Sequence, residues 1–272
     1  MTEKAKKIRI STLGRMKREG RKITAVTAYD AITGAWADQA GIDLVLVGDS
    51  LGPTALGLAD TIGVRLEQMV HHGAAVARAA HSALRVGDMP FMTYKASPEQ
   101  ALTNSARLIQ EGGMEAVKLE GGSEMAPTVE RLVRAGIPVL GHVGILPQSY
   151  HQQGGFHVQG RDEATAGQLR RDAKALRDAG AFAIVLECIP SALAAGISGD
   201  LAIPTIGIGA GPDCDGQILV IADLLGMIDD KPFRFVKPYA QLHDHARKAL
   251  EGYVADVRNG SFPGQEQTYG AG

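Results

Sequence analysis

In 163-EATAGQLRRDAKALRDAGAFAIVLEC-188, an Ala-rich amphipathic run closes on Gly180 and gives way almost at once to the apolar run 182-FAIVLEC-188. A glycine that ends a helical period and precedes an extended apolar run reads as a helix stop followed by a turn into a buried strand. The phrase recurs as 40-AGIDLV-45, 112-GGMEAV-117 and 135-AGIPVL-140. Several helices therefore end in the same way before the next strand.

Working outward, eight short β-branched runs alternate with longer amphipathic segments. The strands are expected at 23–29, 43–49, 84–90, 115–121, 138–144, 182–188, 204–210 and 233–236. Helices are expected over 66–80, over 98–113 with Pro98 at its start, and over 163–180. Strand then helix, repeated eight times, predicts an α/β fold, a (β/α)8 TIM barrel. A doubly wound open sheet also alternates strand and helix, but no GxGxxG turn follows the first strand. With no linker or low-complexity segment, residues 1–272 are expected to form a single (β/α)8 barrel domain, with a loosely held C-terminal tail from about 260.

The 272 residues are 45% hydrophobic and carry a formal net charge of −2, so the chain has material for a core and no basic footprint for nucleic acid. Small-molecule substrates are the expected partners, with no nucleic acid and no membrane. Cys188 and Cys214 make no disulfide framework and no zinc spacing. MTEKAKKIRI at the N-terminus is basic without an apolar region behind it. Taken together, these features predict a cytoplasmic protein.

Catalytic groups of such a barrel come from the C-terminal ends of several strands. Here those ends carry Asp49, Asp88, Glu120, His142 and Glu187, five successive runs finishing on an ionisable residue. One acid at a strand end is ordinarily a turn former or helix cap, but the position repeats, with Gly48, Gly87, Gly121 and Gly141 beside it. Three carboxylates converging on one mouth repel each other and should share a cation or protons; all-oxygen ligation by Asp49, Asp88 and Glu120 suits Mg2+.

Lys118 shares a face with Glu120, one pleat deeper. It is either a structural ion-pair partner of Glu120 or an anchor for a substrate carboxylate, and the neighbouring acids argue against a Schiff base. Glu187, across the barrel, is a candidate base. Its neighbour Cys188 should face the opposite way as a buried apolar residue. His142 is expected to point into the mouth, whereas His71, His72 and His81 fall in a helical stretch with solvated or capping roles. The long loop 145-ILPQSYHQQGGFHVQGRDE-163 is expected to act as a lid.

The segments 26-VTAYD-30, 47-VGDSLG-52, 87-GDMPFMTY-94, 117-VKLEGG-122, 141-GHVGILPQS-149, 158-VQGR-161, 185-VLECIP-190 and 203-IPTIGIGAG-211 occur in this order. As an ordered set, from about Ile10 to Pro263, they resemble the ketopantoate (3-methyl-2-oxobutanoate) hydroxymethyltransferase family. The resemblance implies a TIM barrel of the phosphoenolpyruvate/pyruvate-domain type that uses Mg2+ and 5,10-methylenetetrahydrofolate in the first committed step of pantothenate biosynthesis. A hydroxymethyl group would pass from the folate to 3-methyl-2-oxobutanoate through a Mg2+-stabilised enolate, giving 2-dehydropantoate and tetrahydrofolate.

Carried over by position, the resemblance implies metal ligation by Asp49, Asp88 and Glu120. It implies keto-acid binding by Asp49, Ser50, Asp88 and Lys118, with His142 matching an active-site histidine, and Glu187 as proton acceptor. It also implies a homo-oligomer, a homodecamer of two stacked rings. Met89 and the pair Asp213-Cys214 are conservative departures. The alternative enzyme reading is a Mg2+-dependent 2-oxo-acid lyase of the isocitrate lyase or PEP mutase type, whose typical KKCGH-like loop is missing from this sequence. A catalytically dead, ligand-binding barrel is the reading from another class, and the intact acids and lysine speak against it.

Overall fold

A computed structural model describes residues 6–155, 157–230 and 232–270. Residues 1–5 of the basic N-terminus, Phe156 of the long loop and the last two residues of the tail lie outside the described residues. The strands are β1 (Ile23–Thr27), β2 (Leu44–Val47), β3 (Leu84–Asp88), β4 (Ala116–Glu120), β5 (Val139–Gly144), β6 (Ala183–Glu187), β7 (Thr205–Ile208) and β8 (Gly216–Leu219). They pair in parallel in sequence order and close through β8 onto β1, a closed barrel. Helices lie between successive strands from β1 to β7, as parallel pairing favours, whereas β7 and β8 are joined by residues 209–215 without a helix, where a strand–helix repeat was expected.

The helices needed below are α1 (Ile10–Arg18), α2 (Leu66–Ala77), α3 (Glu163–Asp178) and α4 (Leu242–Asn259). Helix α3 starts where Asp162 caps Thr165 N–H and ends before Gly180, whose φ of 100° suits a residue without a side chain.

Strand alternation sorts the barrel interior into layers. Ile23, Ala25, Leu44, Leu46, Leu84, Val86, Ala116, Leu140, Ala183, Val185, Ile206 and Ile218 form one buried cluster, joined by Leu13 and Met16 of α1. Helix α1 is tied to the side where the strands begin, since Lys17 Nζ reaches Asp215 just before β8. Moving two residues further along β3 to β6 exchanges this apolar floor for an ionisable layer: Val86 to Asp88, Ala116 to Lys118, Leu140 to His142, Val185 to Glu187. The register sets Asp88 beside Lys118, Glu120 beside His142 and Gly144 beside Glu187.

One strand is placed elsewhere than expected. The eighth strand is Gly216–Leu219, whereas 233–236 is a turn in which Val236 N–H donates to Phe233 O and Phe233 is exposed. A short strand with a glycine and a glutamine shows little apolar run. Its glycine is nevertheless required, because a Cβ at 216 would stand 2.5 Å from the carbonyl oxygen of Ile23. Contacts divide the chain into two compact units, Met1–Ile221, which contains all eight strands, and Ala222–Gly272. The second unit carries α4, which buries none of its side chains and ends on Gly260 at φ 79°.

Candidate active site

At the C-terminal ends of β2 to β6, the side chains nominated by the strand pattern come together. Asp88 ends β3, Lys118 and Glu120 lie in β4, His142 lies in β5 and Glu187 ends β6; Asp49 and Ser50 follow β2. Relative exposure is 4% for Asp49, 1% for Asp88, 4% for Lys118, 0% for Glu120 and 2% for His142, so four of the five must be neutralised within the protein. Glu187 keeps 18% of its side-chain surface and Ser50 is partly exposed, which makes them the wetter edge of the group.

The ion pair of Lys118 is made mainly with Asp88 rather than with Glu120. Its ammonium lies 2.8 Å from each oxygen of Asp88 and 3.6 Å from Glu120 Oε1. Closed-barrel register explains this, because Asp88 and Lys118 are direct neighbours across β3 and β4, whereas Glu120 is one pleat above on the same strand. Burial alone would lower the lysine pKa, but Asp88, Glu120 and Asp49 outweigh it and hold the ammonium charged. Asp49, whose N–H donates to Asp88 Oδ2 at 3.3 Å, has its carboxyl pushed well up by burial and by Asp88. Glu120 is also raised, by burial first, with Lys118 and His142 opposing.

His142 Nε2 is 3.1 Å from Glu187 Oε2 and Nδ1 is 3.7 Å from Glu120 Oε1. Neither ring nitrogen makes a hydrogen bond, so the 3.1 Å approach is a contact without hydrogen-bond alignment. Burial first and Lys118 second push the imidazole down to about 4, leaving it neutral at pH 7. Glu187 is pushed up to about 7 by burial, against Lys118 and with Asp88. A carboxylate poised near neutrality facing a buried cationic centre is what a general base requires.

The end of β6 is shaped to hold Glu187. A Cβ on Gly144, whose φ is 106°, would collide with the Glu187 carbonyl, and Ile145 N–H donates to that carbonyl at 2.9 Å. Cys188 departs from expectation. It is half-buried in a left-handed conformation at φ 48°, because the strand ends at Glu187 and its N–H turns to Ile208 O at 2.8 Å. Among the other histidines, His71 and His72 lie in α2, and His72 Nδ1 lies 2.6 Å from Tyr29 O; His81 lies beyond the helix end at Ala77.

Three polar residues of the site carry no strand-end signal. Gln148 and Tyr94, 2% and 0% exposed, bond to each other and to the acids of β2 and β4. Tyr29 Oη lies 2.8 Å from Ser50 Oγ and accepts from Thr27 Oγ1 at 2.9 Å, orienting the serine. All three stand inside the motif phrases VTAYD, GDMPFMTY and GHVGILPQS, but in loops, where neither period nor charge picks them out.

A divalent cation fits this donor set. Three carboxylates supply only oxygen, and Glu120 Oε1 is buried with no hydrogen bond. Among the described residues, no three His, Cys, Asp or Glu side chains are already gathered as a cage, and Lys118 takes up both oxygens of Asp88. Cation and ammonium would share the same carboxylates.

A family model described as ketopantoate hydroxymethyltransferase matches residues 7–265. The sequence is 52% identical to the 3-methyl-2-oxobutanoate hydroxymethyltransferase of Moorella thermoacetica, covering 97% of this chain and 98% of the relative. It is 49% identical to the enzyme of the same name from Syntrophus aciditrophicus, over 98% of each chain. Among solved structures, phosphonopyruvate hydrolase superposes with a TM-score of 0.63 at 13% identity, covering 97% of this chain and 92% of the other. For 2,3-dimethylmalate lyase, a PEP mutase/isocitrate lyase superfamily member, the TM-score is 0.60 at 18% identity, covering 95% and 91%. These distant structural likenesses bear on the barrel alone.

Proposed function

The chain belongs to the ketopantoate hydroxymethyltransferase family and is an enzyme of that transferase class, and we propose that it adds a hydroxymethyl group to 3-methyl-2-oxobutanoate. In this reading the one-carbon unit comes from 5,10-methylenetetrahydrofolate, and water is consumed as 2-dehydropantoate and tetrahydrofolate are released. The lyase reading loses ground, since the relatives near 50% identity carry the transferase name and the lyase-type structures are below 20%.

The observation that carries the proposal is Glu187, held near pKa 7 at the open edge of a buried Lys118–Asp88 pair. The keto acid must lose its C3 proton before carbon can be added there. Lys118, kept charged by its acids, binds the substrate carboxylate, and Ser50 Oγ, oriented by Tyr29, contributes a second hydrogen bond. Mg2+ held by Asp49, Asp88 and Glu120 would act as a Lewis acid toward the 2-oxo group, lowering the cost of charge on that oxygen. With the substrate so aligned, Glu187 Oε takes the C3 proton, and the resulting carbon nucleophile attacks the one-carbon unit. Neutral His142, 3.1 Å from Glu187, can donate a hydrogen bond once substrate enters.

Exchange of the C3 proton with deuterated solvent, followed by NMR with and without Mg2+ and folate, tests base and metal together. Cation-dependent exchange is expected in the wild type and not in Glu187→Gln. Exchange that persists in that variant would remove Glu187 from the role.

We also propose a homo-oligomer, a decamer by family expectation, supported by the exposed apolar set Leu250, Tyr253, Val254 and Val257 at helical spacing on α4. Sedimentation velocity measures it directly. The proposed compartment is the cytoplasm, in keeping with free Cys188 and Cys214; no helix among the described residues is long and apolar enough to cross a membrane.

A further inference from the structure

Gln148 follows β5 in a loop, on a short 3-10 turn over Pro147–Ser149, yet it is 2% exposed. A buried carboxamide is tolerated when its donors and acceptor are used, and here they are. Nε2 donates to Asp49 Oδ2 at 2.8 Å and to the Met89 carbonyl at 2.9 Å. Oε1 accepts from Tyr94 Oη at 2.7 Å, and the backbone N–H donates to Glu120 Oε2 at 3.1 Å. Tyr94 Oη in turn accepts from Glu120 N–H at 3.1 Å, and its single proton faces two acceptors, the Glu120 carbonyl at 3.1 Å and the nearer amide oxygen at 2.7 Å.

This arrangement fixes the orientation of the amide. Turned over, Oε1 would face a carboxylate and a carbonyl, both acceptors, while Nε2 would face the hydroxyl. Each of the two acids is engaged through one oxygen, Oδ2 of Asp49 by the amide and Oε2 of Glu120 by the backbone N–H. Their other oxygens make no hydrogen bond among the described residues: none reaches Asp49 Oδ1, and Glu120 Oε1 is buried with only the longer approach of the Lys118 ammonium at 3.6 Å and of His142 Nδ1 at 3.7 Å.

We propose that Gln148 is a positioning residue that selects which oxygen of Asp49 and which of Glu120 the site offers to a divalent cation. The inference rests on the reading that these two acids hold one. The residue joins three adjacent strand ends, those of β2 and β3 through its side chain and that of β4 through its backbone N–H, with the Met89 carbonyl fixing the amide to the segment after Asp88. Groups that orient the ligands of a metal typically change affinity by about 10 to 100-fold when lost.

The test is Mn2+ binding to the whole chain, by electron paramagnetic resonance, without substrate, so that no turnover enters the readout. Gln148→Leu keeps the backbone N–H on Glu120 and removes the amide from Asp49; Tyr94→Phe keeps the amide and frees its orientation. Asp49→Asn reports on the cation reading itself. Expected are a loss of Mn2+ affinity of about 10 to 100-fold in Gln148→Leu and a smaller loss in Tyr94→Phe, with Asp49→Asn weaker still. Wild-type affinity in both Gln148→Leu and Tyr94→Phe, with binding lost in Asp49→Asn, overturns the inference alone. Undiminished binding in Asp49→Asn overturns the cation reading and the inference with it. Should Gln148→Leu not fold, Tyr94→Phe decides: wild-type affinity there counts against the proposal and weakened affinity supports it.

Discussion

Lys118 holds both oxygens of Asp88 at 2.8 Å in a space where each residue is under 5% exposed. A buried pair broken on one side leaves the other charge uncompensated, at a cost of about 3 kcal/mol or more. In Lys118→Met, Asp88 is left beside two further acids. Urea denaturation in EDTA should therefore show a loss of that order. Removing the ammonium also removes a charge that repels a cation, so Mg2+ affinity should hold or rise while the keto acid's KM climbs. A parallel loss of both affinities would contradict the assignment of Lys118 to the substrate.

Asp49 is protonated more readily than an ordinary aspartate because burial and Asp88 both disfavour its charge. Asp49→Asn removes that repulsion and keeps the shape. The apo protein should gain about 1 kcal/mol of stability at pH 7, while Mg2+-dependent turnover is lost. Thermal melts in EDTA, read beside activity, check the trade; an apo protein made less stable would count against it.

Glu187 and His142 should impress opposite pH dependences. Glu187 rises from 4.5 to about 7 on folding, so the folded state holds the extra proton between those values. Its contribution to stability is full below 4.5 and is lost as pH rises through about 7. His142 falls from 6.5 to about 4, so its contribution is full above 6.5 and is lost as pH falls through about 4. Between pH 4.5 and 6.5, Glu187→Gln should steepen the rise of stability with pH and His142→Asn should flatten it. Urea midpoints at pH 5, 6 and 7 separate the two.

Activity follows the same group with the sign a base demands. Proton exchange at C3 should rise with pH through about 7 as Glu187 ionises. Glu187→Gln should lower the exchange rate by about 10^2 to 10^4 and abolish that rise.

Gly144→Ala tests the support behind the base. Its Cβ would meet the Glu187 carbonyl, and φ 106° is a conformation alanine resists. A stability loss above about 1 kcal/mol is expected, together with a fall in kcat for exchange larger than the change in KM. Near-wild-type kcat would show that Glu187 tolerates displacement of β6.

The apolar runs that finish on an ionisable residue, and the glycine that stops several of the helices, are local properties, so the barrel and five charged strand ends could be read from the sequence alone. Asp88, Glu120, His142 and Glu187 converge because a strand's period of two carries inward residues to the same lumen, whereas Asp49, out of step with inward Leu44 and Leu46, joins them through the turn after β2. Resemblance added roles for these residues and for Ser50 and Lys118. Other features depend on which chain segments become neighbours when the barrel closes. The eighth strand, short and marked by Gly216, is recognised only by its pairing with β1 and β7. Lys118 chooses Asp88 over Glu120 because the partner across the ladder is nearer than one on its own strand. Gln148 and Tyr94 are polar loop residues with no periodic signature, and only tertiary structure brings their hydrogen-bonding atoms to the acids.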